Sequence, residues 1–173
     1  SSTERARQGA DAALRCASMS VLAIDAGTTG VTALVVDGAG RITRRSTHEF
    51  AQHFPRPGWV EHAPEEIWQA TLESVGDVVQ DGADELTAIG ITNQRETAVV
   101  WDRRNGRPLH NAVVWQCRRT APMCERLRRA GAGPMVRRKT GLVLDPYFSA
   151  TKIRWILDHA AKGRSPAFGT IDT

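Results

Sequence analysis

Four short segments of this chain group side chains that can bind and orient a polar ligand. In Asp25-Ala26-Gly27-Thr28-Thr29-Gly30 a carboxylate precedes a turn whose glycines permit close backbone approach. Its two hydroxyls and its N–H groups suit a phosphate oxygen, and Asp25 is placed for a Mg2+ that keeps most of its waters. An ordinary Gly-rich hairpin turn carries the same residues, and no GxxxxGK[ST] segment offers a P-loop. Thr92-Asn93-Gln94-Arg95-Glu96-Thr97 follows the apolar run Leu86 to Ile91. It therefore stands at the carboxyl end of a strand, where α/β sheets open their ligand crevices. Arg95 beside Glu96 sets a fork of donors next to an acceptor, which matches vicinal hydroxyls that each give and take a hydrogen bond; a solvated surface ion pair is the alternative. Trp115 ends the extended piece Val113-Val114-Trp115, where its indole face either covers a ligand's carbon backbone or joins the core. Tyr147, the only tyrosine, lies in the turn Asp145-Pro146-Tyr147-Phe148-Ser149 and offers a phenol hydroxyl or simply packs at a surface.

These segments need strands and turns to position them, and the apolar pattern supplies both. Val21 to Ile24, Val31 to Val36 and Arg41 to Phe50, separated by Asp25–Gly30 and Asp37–Gly40, predict an antiparallel meander. Pro64-Glu65-Glu66 opens a helix, since proline suits the first turn and carboxylates complement the positive end of its dipole. Ile67, Trp68, Thr71, Leu72, Val75, Val78 and Val79 continue it at helical spacing, and Gly82 closes it. Leu86 to Thr92, nearly all apolar, predicts a central strand, and Ala98 to Trp101 another. Helices are expected from about Pro122 to Gly131 and from about Ala150 to His159, with a strand beginning at Phe168. Strands followed by alternating helices and strands indicate a mixed α/β layer fold, not a doubly wound parallel sheet.

Composition limits the function classes. The chain of 173 residues has 23 Lys and Arg against 19 Asp and Glu, a small surplus dispersed along the sequence without interleaved aromatics, which argues against nucleic-acid binding. Cys16, Cys117 and Cys124 form no CxxC pair and no zinc-ligand spacing, as suits reduced thiols in a cytoplasmic protein. No run approaches the ~18 apolar residues of a membrane span. Residues 1–18 are polar and Ala-rich and are expected to be poorly ordered and without function.

Read together, DAGTT (Asp25 to Thr29), PGWVEH (Pro57 to His62), GITNQRET (Gly90 to Thr97), VWQCRRT (Val114 to Thr120) and TGLVLDPYFSATK (Thr140 to Lys152) resemble the glycerol kinases of the FGGY carbohydrate kinase family. They occur in the family's order, from about Val21 to Thr173. The resemblance implies an α/β, ribonuclease H-like domain of the actin and hexokinase type. Its mixed sheet begins with an antiparallel three-strand meander and is flanked by helices. Residues 1–19 would be a disordered extension and 20–173 an incomplete N-terminal kinase domain lacking its C-terminal partner domain.

The resemblance also implies ATP- and Mg2+-dependent phosphorylation of glycerol to sn-glycerol 3-phosphate. By motif position, Arg95, Glu96 and Tyr147 would hydrogen-bond glycerol and Trp115 would pack on its carbons. Gly27, Thr28, Thr29 and Gly30 would meet the nucleotide phosphates, and Asp25 the metal. The family's general base is an Asp of a GDQ-type motif in the second half, so no catalytic residue is expected within this chain and no turnover from it alone. Where the family commonly reads DQGTTSSR, Ala26, Gly30, Val31 and Thr32 replace Gln, Ser, Ser and Arg, removing a hydroxyl and a cation near the phosphates. Expected partners are glycerol and ATP, with no nucleic acid, no membrane span and a homo-oligomer for the full-length enzyme. The alternatives are a family kinase for another polyol or sugar, such as xylulose or gluconate, and a non-catalytic glycerol-binding module.

Overall fold

The computed structural model describes residues 19–79 and 86–173, so the expectations for residues 1–18 and for a helix stop at Gly82 lie outside the described residues. In chain order the elements are β1 (Ser20–Ala26), β2 (Gly30–Val36), β3 (Ile42–Glu49), β4 (Glu61–His62), α1 (Pro64–Val78), β5 (Leu86–Asn93), β6 (Ala98–Asp102), β7 (Ala112–Val113), α2 (Ala121–Arg129), α3 (Gly133–Thr140), α4 (Ser149–Ala160) and β8 (Pro166–Thr170). Contacts divide them into two compact units. One holds the described residues up to Phe50 with Ile67–Asn93; the other holds Ala51–Glu66 with Gln94–Thr173.

In the first unit the expected meander forms. The sheet order is β3-β2-β1-β5, with β1 antiparallel to β2 and parallel to β5. Alternation in β2 buries Val31, Ala33 and Val35 on one face, and Leu22, Ala33, Val35 and Val78 form the core with Ile24, Val75 and Leu86 against it. Helix α1 begins at Pro64 with Glu65 and Glu66 in its first turn. Its buried positions are Ile67, Ala70, Ser74 and Val78, whereas Trp68 and Leu72 are 63% and 47% exposed. Small residues face the sheet because they let helix and strand approach: Ser74 Oγ donates to the Val31 carbonyl at 2.9 Å. The last turn of α1 has no basic residue of its own, and Arg44 of β3 supplies one, its Nη1 donating to the Val78 carbonyl at 3.1 Å.

One polar group in this unit imitates a hydrolase set. His48 Nε2 lies 2.8 Å from Asp77 Oδ2 and its Nδ1 3.2 Å from Glu73 Oε2, and the Asp77 hydrogen bond holds the imidazole above its ordinary range. Ser46 Oγ donates to the same Asp77 oxygen at 2.6 Å. The hydroxyl proton thus goes to the carboxylate, not to a base, so the trio braces β3 to α1 and activates no nucleophile.

Strand β5 departs from expectation. Its apolar run predicts a central strand, yet among the described residues it is the end of the sheet, and Ile89 and Ile91 are 64% and 62% exposed. A near-continuous apolar run fits a strand covered on both faces, and no described element covers them here.

In the second unit β4-β7-β6-β8 form an antiparallel sheet. Its core is Val60, Val100, Val113, Val114, Cys117 and Ile156, with Trp59, Leu109, Trp115 and Trp155 packed around it. Helices α2 and α4 occupy nearly the expected spans. Helix α3 was not anticipated: a proline stands in its first turn and Gly141 caps it in the left-handed conformation (φ 75°), but none of its residues is buried, so no apolar stripe announced it.

Candidate functional site

Three segments of the second unit bring the expected polyol residues together. The chain leaves β5 and turns over Gln94–Thr97, closed by the Thr97 amide on the Gln94 carbonyl at 3.4 Å. Gln94 and Thr97 are buried and anchor the turn. Thr97 Oγ1 donates to Gln94 Oε1 at 2.9 Å, and Gln94 Nε2 lies 3.1 Å from Nδ1 of the buried His62. Burial pushes the His62 imidazole down to about 4, so it is neutral at pH 7 and its ring can accept from the amide. With both ends fixed, Arg95 is exposed and Glu96 half-buried at the tip.

Glu96 has a φ of 68°, the only positive φ of a non-glycine among the described residues. A left-handed L-residue costs about 1–2 kcal/mol, and what holds it is visible. Glu96 Oε2 accepts from the Ser149 amide at 2.7 Å and from Ser149 Oγ at 2.6 Å. Helix α4 has no capping bond from its own N-cap residue, Phe148. The Glu96 carboxylate does that work from across the unit, where the helix dipole favours an anion. Its Oε1 remains on the other side of the carboxylate.

Trp115 joins the same group from the end of β7, its amide donating to Thr97 Oγ1 at 3.3 Å. Its ring meets Tyr147 edge-on, with centroids 5.9 Å apart at 66°, and Tyr147 in turn meets Phe148 at 5.2 Å. The Tyr147 turn is tied by Asp145, whose Oδ1 accepts from the Tyr147 amide at 2.8 Å and whose carbonyl accepts from the Phe148 amide at 3.2 Å. Glu96, Trp115 and Tyr147 are therefore one hydrogen-bonded and packed cluster, with Arg95 beside it on the same turn. A carboxylate, a phenol and an indole in one place can bind a short polyol, the polar groups exchanging hydrogen bonds with hydroxyls and the ring covering carbon. The exposed Arg95 is the neighbour of Glu96 on the turn, and among the described residues no contact ties its guanidinium to the other three.

Residue typing missed three members of this arrangement. Ser149 and Thr97 are the hydroxyls that tie its segments, and Lys152 reaches the turn from within α4. A signal for Lys152 existed, since it precedes the buried Ile156 by one helical turn and so stands on the core-facing side.

The first unit holds the other expected group. The turn between β1 and β2 is closed by the Gly27 amide on the Gly30 carbonyl at 3.0 Å, so that amide is committed to the turn. A Cβ at Gly30 would stand 2.7 Å from the His48 carbonyl oxygen. A serine there, the residue common in similar loops, does not fit this backbone; Gly30 is required by the close approach of β3. Asp25 is exposed and pairs with Thr32 on β2 and Thr92 on β5, while Thr32 pairs with Thr47 and their hydroxyls lie 2.9 Å apart. Direct cross-strand partners share a face, so a row of hydroxyls flanks this carboxylate. That donor set, one carboxylate with hydroxyls for hydrogen bonds to coordinated water, fits a hydrated Mg2+. Among the described residues no group of three or more His, Cys, Asp or Glu could hold a metal ion.

Comparison with known proteins places the chain in a recognisable setting. Residues 20–172 match the model of the FGGY family of carbohydrate kinases, N-terminal domain. Glycerol kinase of Chelativorans sp. (strain BNC1) is 52% identical over 162 residues, covering 88% of this chain and 32% of that protein. The crystal structure of Plasmodium falciparum glycerol kinase with ADP superposes with a TM-score of 0.82 at 30% identity, over 90% of this chain and 33% of that one. Xylulose kinase from Lactobacillus acidophilus shares the fold, with a TM-score of 0.81 at 19% identity. The chain spans about a third of the length of the curated relatives it matches.

Proposed function

This chain belongs to the FGGY family of carbohydrate kinases, and from that premise we propose that it supplies the polyol-binding side chains and the first phosphate loop of an ATP-dependent glycerol kinase. The observation that carries the reading is the convergence of Glu96, Trp115 and Tyr147 through Ser149 and Thr97. Glycerol is a chain of carbons with a hydroxyl on each, and this cluster offers each kind of surface it needs. Glu96 Oε1 accepts from one hydroxyl, the Arg95 guanidinium and Tyr147 phenol bond the others, and Trp115 covers the carbons. The reaction transfers the terminal phosphoryl group of ATP to a terminal hydroxyl of glycerol, giving sn-glycerol 3-phosphate and ADP. Positioning and charge neutralisation dominate such transfers.

Gly27, Thr28, Thr29 and Gly30 serve the nucleotide phosphates in this reading. Asp25 and the hydroxyls of Thr32 and Thr92 would hold a hydrated Mg2+, which when bound neutralises phosphate charge. A cytoplasmic location agrees with the free, buried thiols of Cys117 and Cys124. Among the described residues no helix is long and apolar enough to cross a membrane.

Titration calorimetry of the chain with glycerol, D-xylulose and D-gluconate tests the substrate. Saturable glycerol binding, tighter than that of either competitor, is expected, in keeping with relatives at about half identity that are glycerol kinases. Tighter binding of xylulose or gluconate would overturn the assignment.

A further inference from the structure

Lys152 is fully buried, with none of its surface exposed. Its Nζ donates to the Pro146 carbonyl at 3.1 Å and also to the Tyr147 carbonyl. No carboxylate forms an ion pair with it among the described residues. A buried ammonium without a directly bonded carboxylate is costly, and methionine would fill the same space without that cost. What the ammonium adds is a pair of charge-assisted donors aimed at consecutive carbonyls of one turn.

We propose that Lys152 is a positioning residue for the polyol site, holding the Asp145–Phe148 turn so that the Tyr147 ring meets Trp115 and Ser149 meets Glu96. The proposal rests on the reading of that cluster as the polyol site. Several ties hold the backbone of this turn beside the cluster. Asp145 fixes the Tyr147 and Phe148 amides, Ser149 fixes Glu96, and Lys152 takes the two carbonyls that lie between. Removing the ammonium frees the backbone on which the phenol is mounted, while the helix around it stays packed through Thr151 and Ile156, both buried.

The surroundings make the lysine titratable. Burial pushes its ammonium down to about 8, and the opposing influences are Glu96 of the β5–β6 turn, Cys117 after β7, Cys124 of α2 and Asp145 of the turn itself. Asp145 in turn lies 3.5 Å from the Arg118 guanidinium. Because the folded value lies below the ordinary 10.5, the burial cost is fully present below pH ~8 and is relieved as pH rises toward the unfolded value. A change at Tyr147 near pH 8 would therefore report loss of the ammonium and not loss of the fold.

The sole tyrosine provides the readout. With 13C-labelled tyrosine the chain gives one set of ring signals, all from Tyr147. In Lys152→Met, glycerol affinity is expected to fall at least tenfold and the ring signal to shift or broaden, with cooperative unfolding retained. A lysine with only a structural role would change unfolding alone, so wild-type affinity and an unchanged ring signal in this variant overturn the proposal. Should Lys152→Met not fold, the wild-type ring signal decides. It is expected to move with a midpoint near pH 8, and a flat response from pH ~7 to ~9 overturns the proposal. This signal is read without glycerol. If wild-type chain binds no glycerol, the polyol reading falls and the ring titration still decides whether Lys152 sets the turn.

Discussion

Arg119→Met is expected to lower the unfolding free energy by about 3–5 kcal/mol. Arg119 is fully buried in the second unit, its Nη2 2.6 Å from Glu61 Oε1. The guanidinium lies 4.0 Å from the ring centre of Trp59 and 4.6 Å from that of Trp155, and its Nε donates to Cys117 Sγ at 3.0 Å. Asn111 donates to the other Glu61 oxygen at 3.0 Å. The substitution removes a cation held by two aromatic faces and leaves a carboxylate buried with little to balance it.

The sign of the pH dependence follows. Burial pushes Glu61 up, but the hydrogen bonds from Arg119 and Asn111 and the charges of Arg119 and His110 outweigh it, so the carboxyl is held below the ordinary 4.5. The stabilisation is fully present above that value and is lost as pH falls through the depressed one. In Arg119→Met burial dominates, so the deficit is largest near neutrality and shrinks on acidification, when Glu61 protonates. Urea titrations followed by tryptophan fluorescence at pH 7 and in mild acid measure both. The double variant Glu61→Gln/Arg119→Met should regain part of the loss. A loss under about 1 kcal/mol at pH 7 would show that the pair contributes no more than an exposed one.

Glycerol affinity is expected to fall about 10- to 150-fold in Glu96→Gly, corresponding to the 1.5–3 kcal/mol of a charged hydrogen bond. The choice of glycine separates binding from folding. Glu96 sits at φ 68°, a conformation that glycine adopts without steric cost. Glu96→Gly therefore loses the carboxylate and its two bonds from Ser149 but gains backbone relief, whereas Glu96→Ala loses the carboxylate and keeps the strain. Both variants should bind glycerol equally poorly, with the glycine variant more stable than the alanine variant by about 1 kcal/mol. Calorimetry and thermal unfolding of the two read these effects separately. Glycerol binding at wild-type strength in Glu96→Gly would remove Glu96 from the site.

Much of this was legible from residue order. The meander follows from apolar runs bounded by Asp25–Gly30 and Asp37–Gly40, and α1 from Pro64, Glu65 and Glu66, because these signals are local. Chemically distinctive side chains at strand ends pointed to Arg95, Glu96 and Trp115, and the turn after Asp145 pointed to Tyr147. What stayed hidden depends on contacts distant along the chain. The cap on α4 comes from a residue 53 positions earlier, so nothing near Ser149 announces it. The left-handed backbone of Glu96 is stabilised by that same contact, and glutamate has no intrinsic preference for it. Trp68 and Leu72 stand at helical spacing and the helix forms, but which face meets the sheet is decided by the small Ala70 and Ser74, which helical spacing alone does not tell. Gly30 reads as a phosphate-loop glycine, and its need for a bare Cα comes from the His48 carbonyl of a neighbouring strand.

The most direct test of a polyol site in this chain is the set of intermolecular NOEs between 13C-labelled glycerol and the protein's aromatic protons. Cross-peaks to the Tyr147 ring and the Trp115 indole are expected, and they should vanish in Glu96→Gly. Cross-peaks confined to other aromatic residues, or none at saturating glycerol, would contradict the assignment.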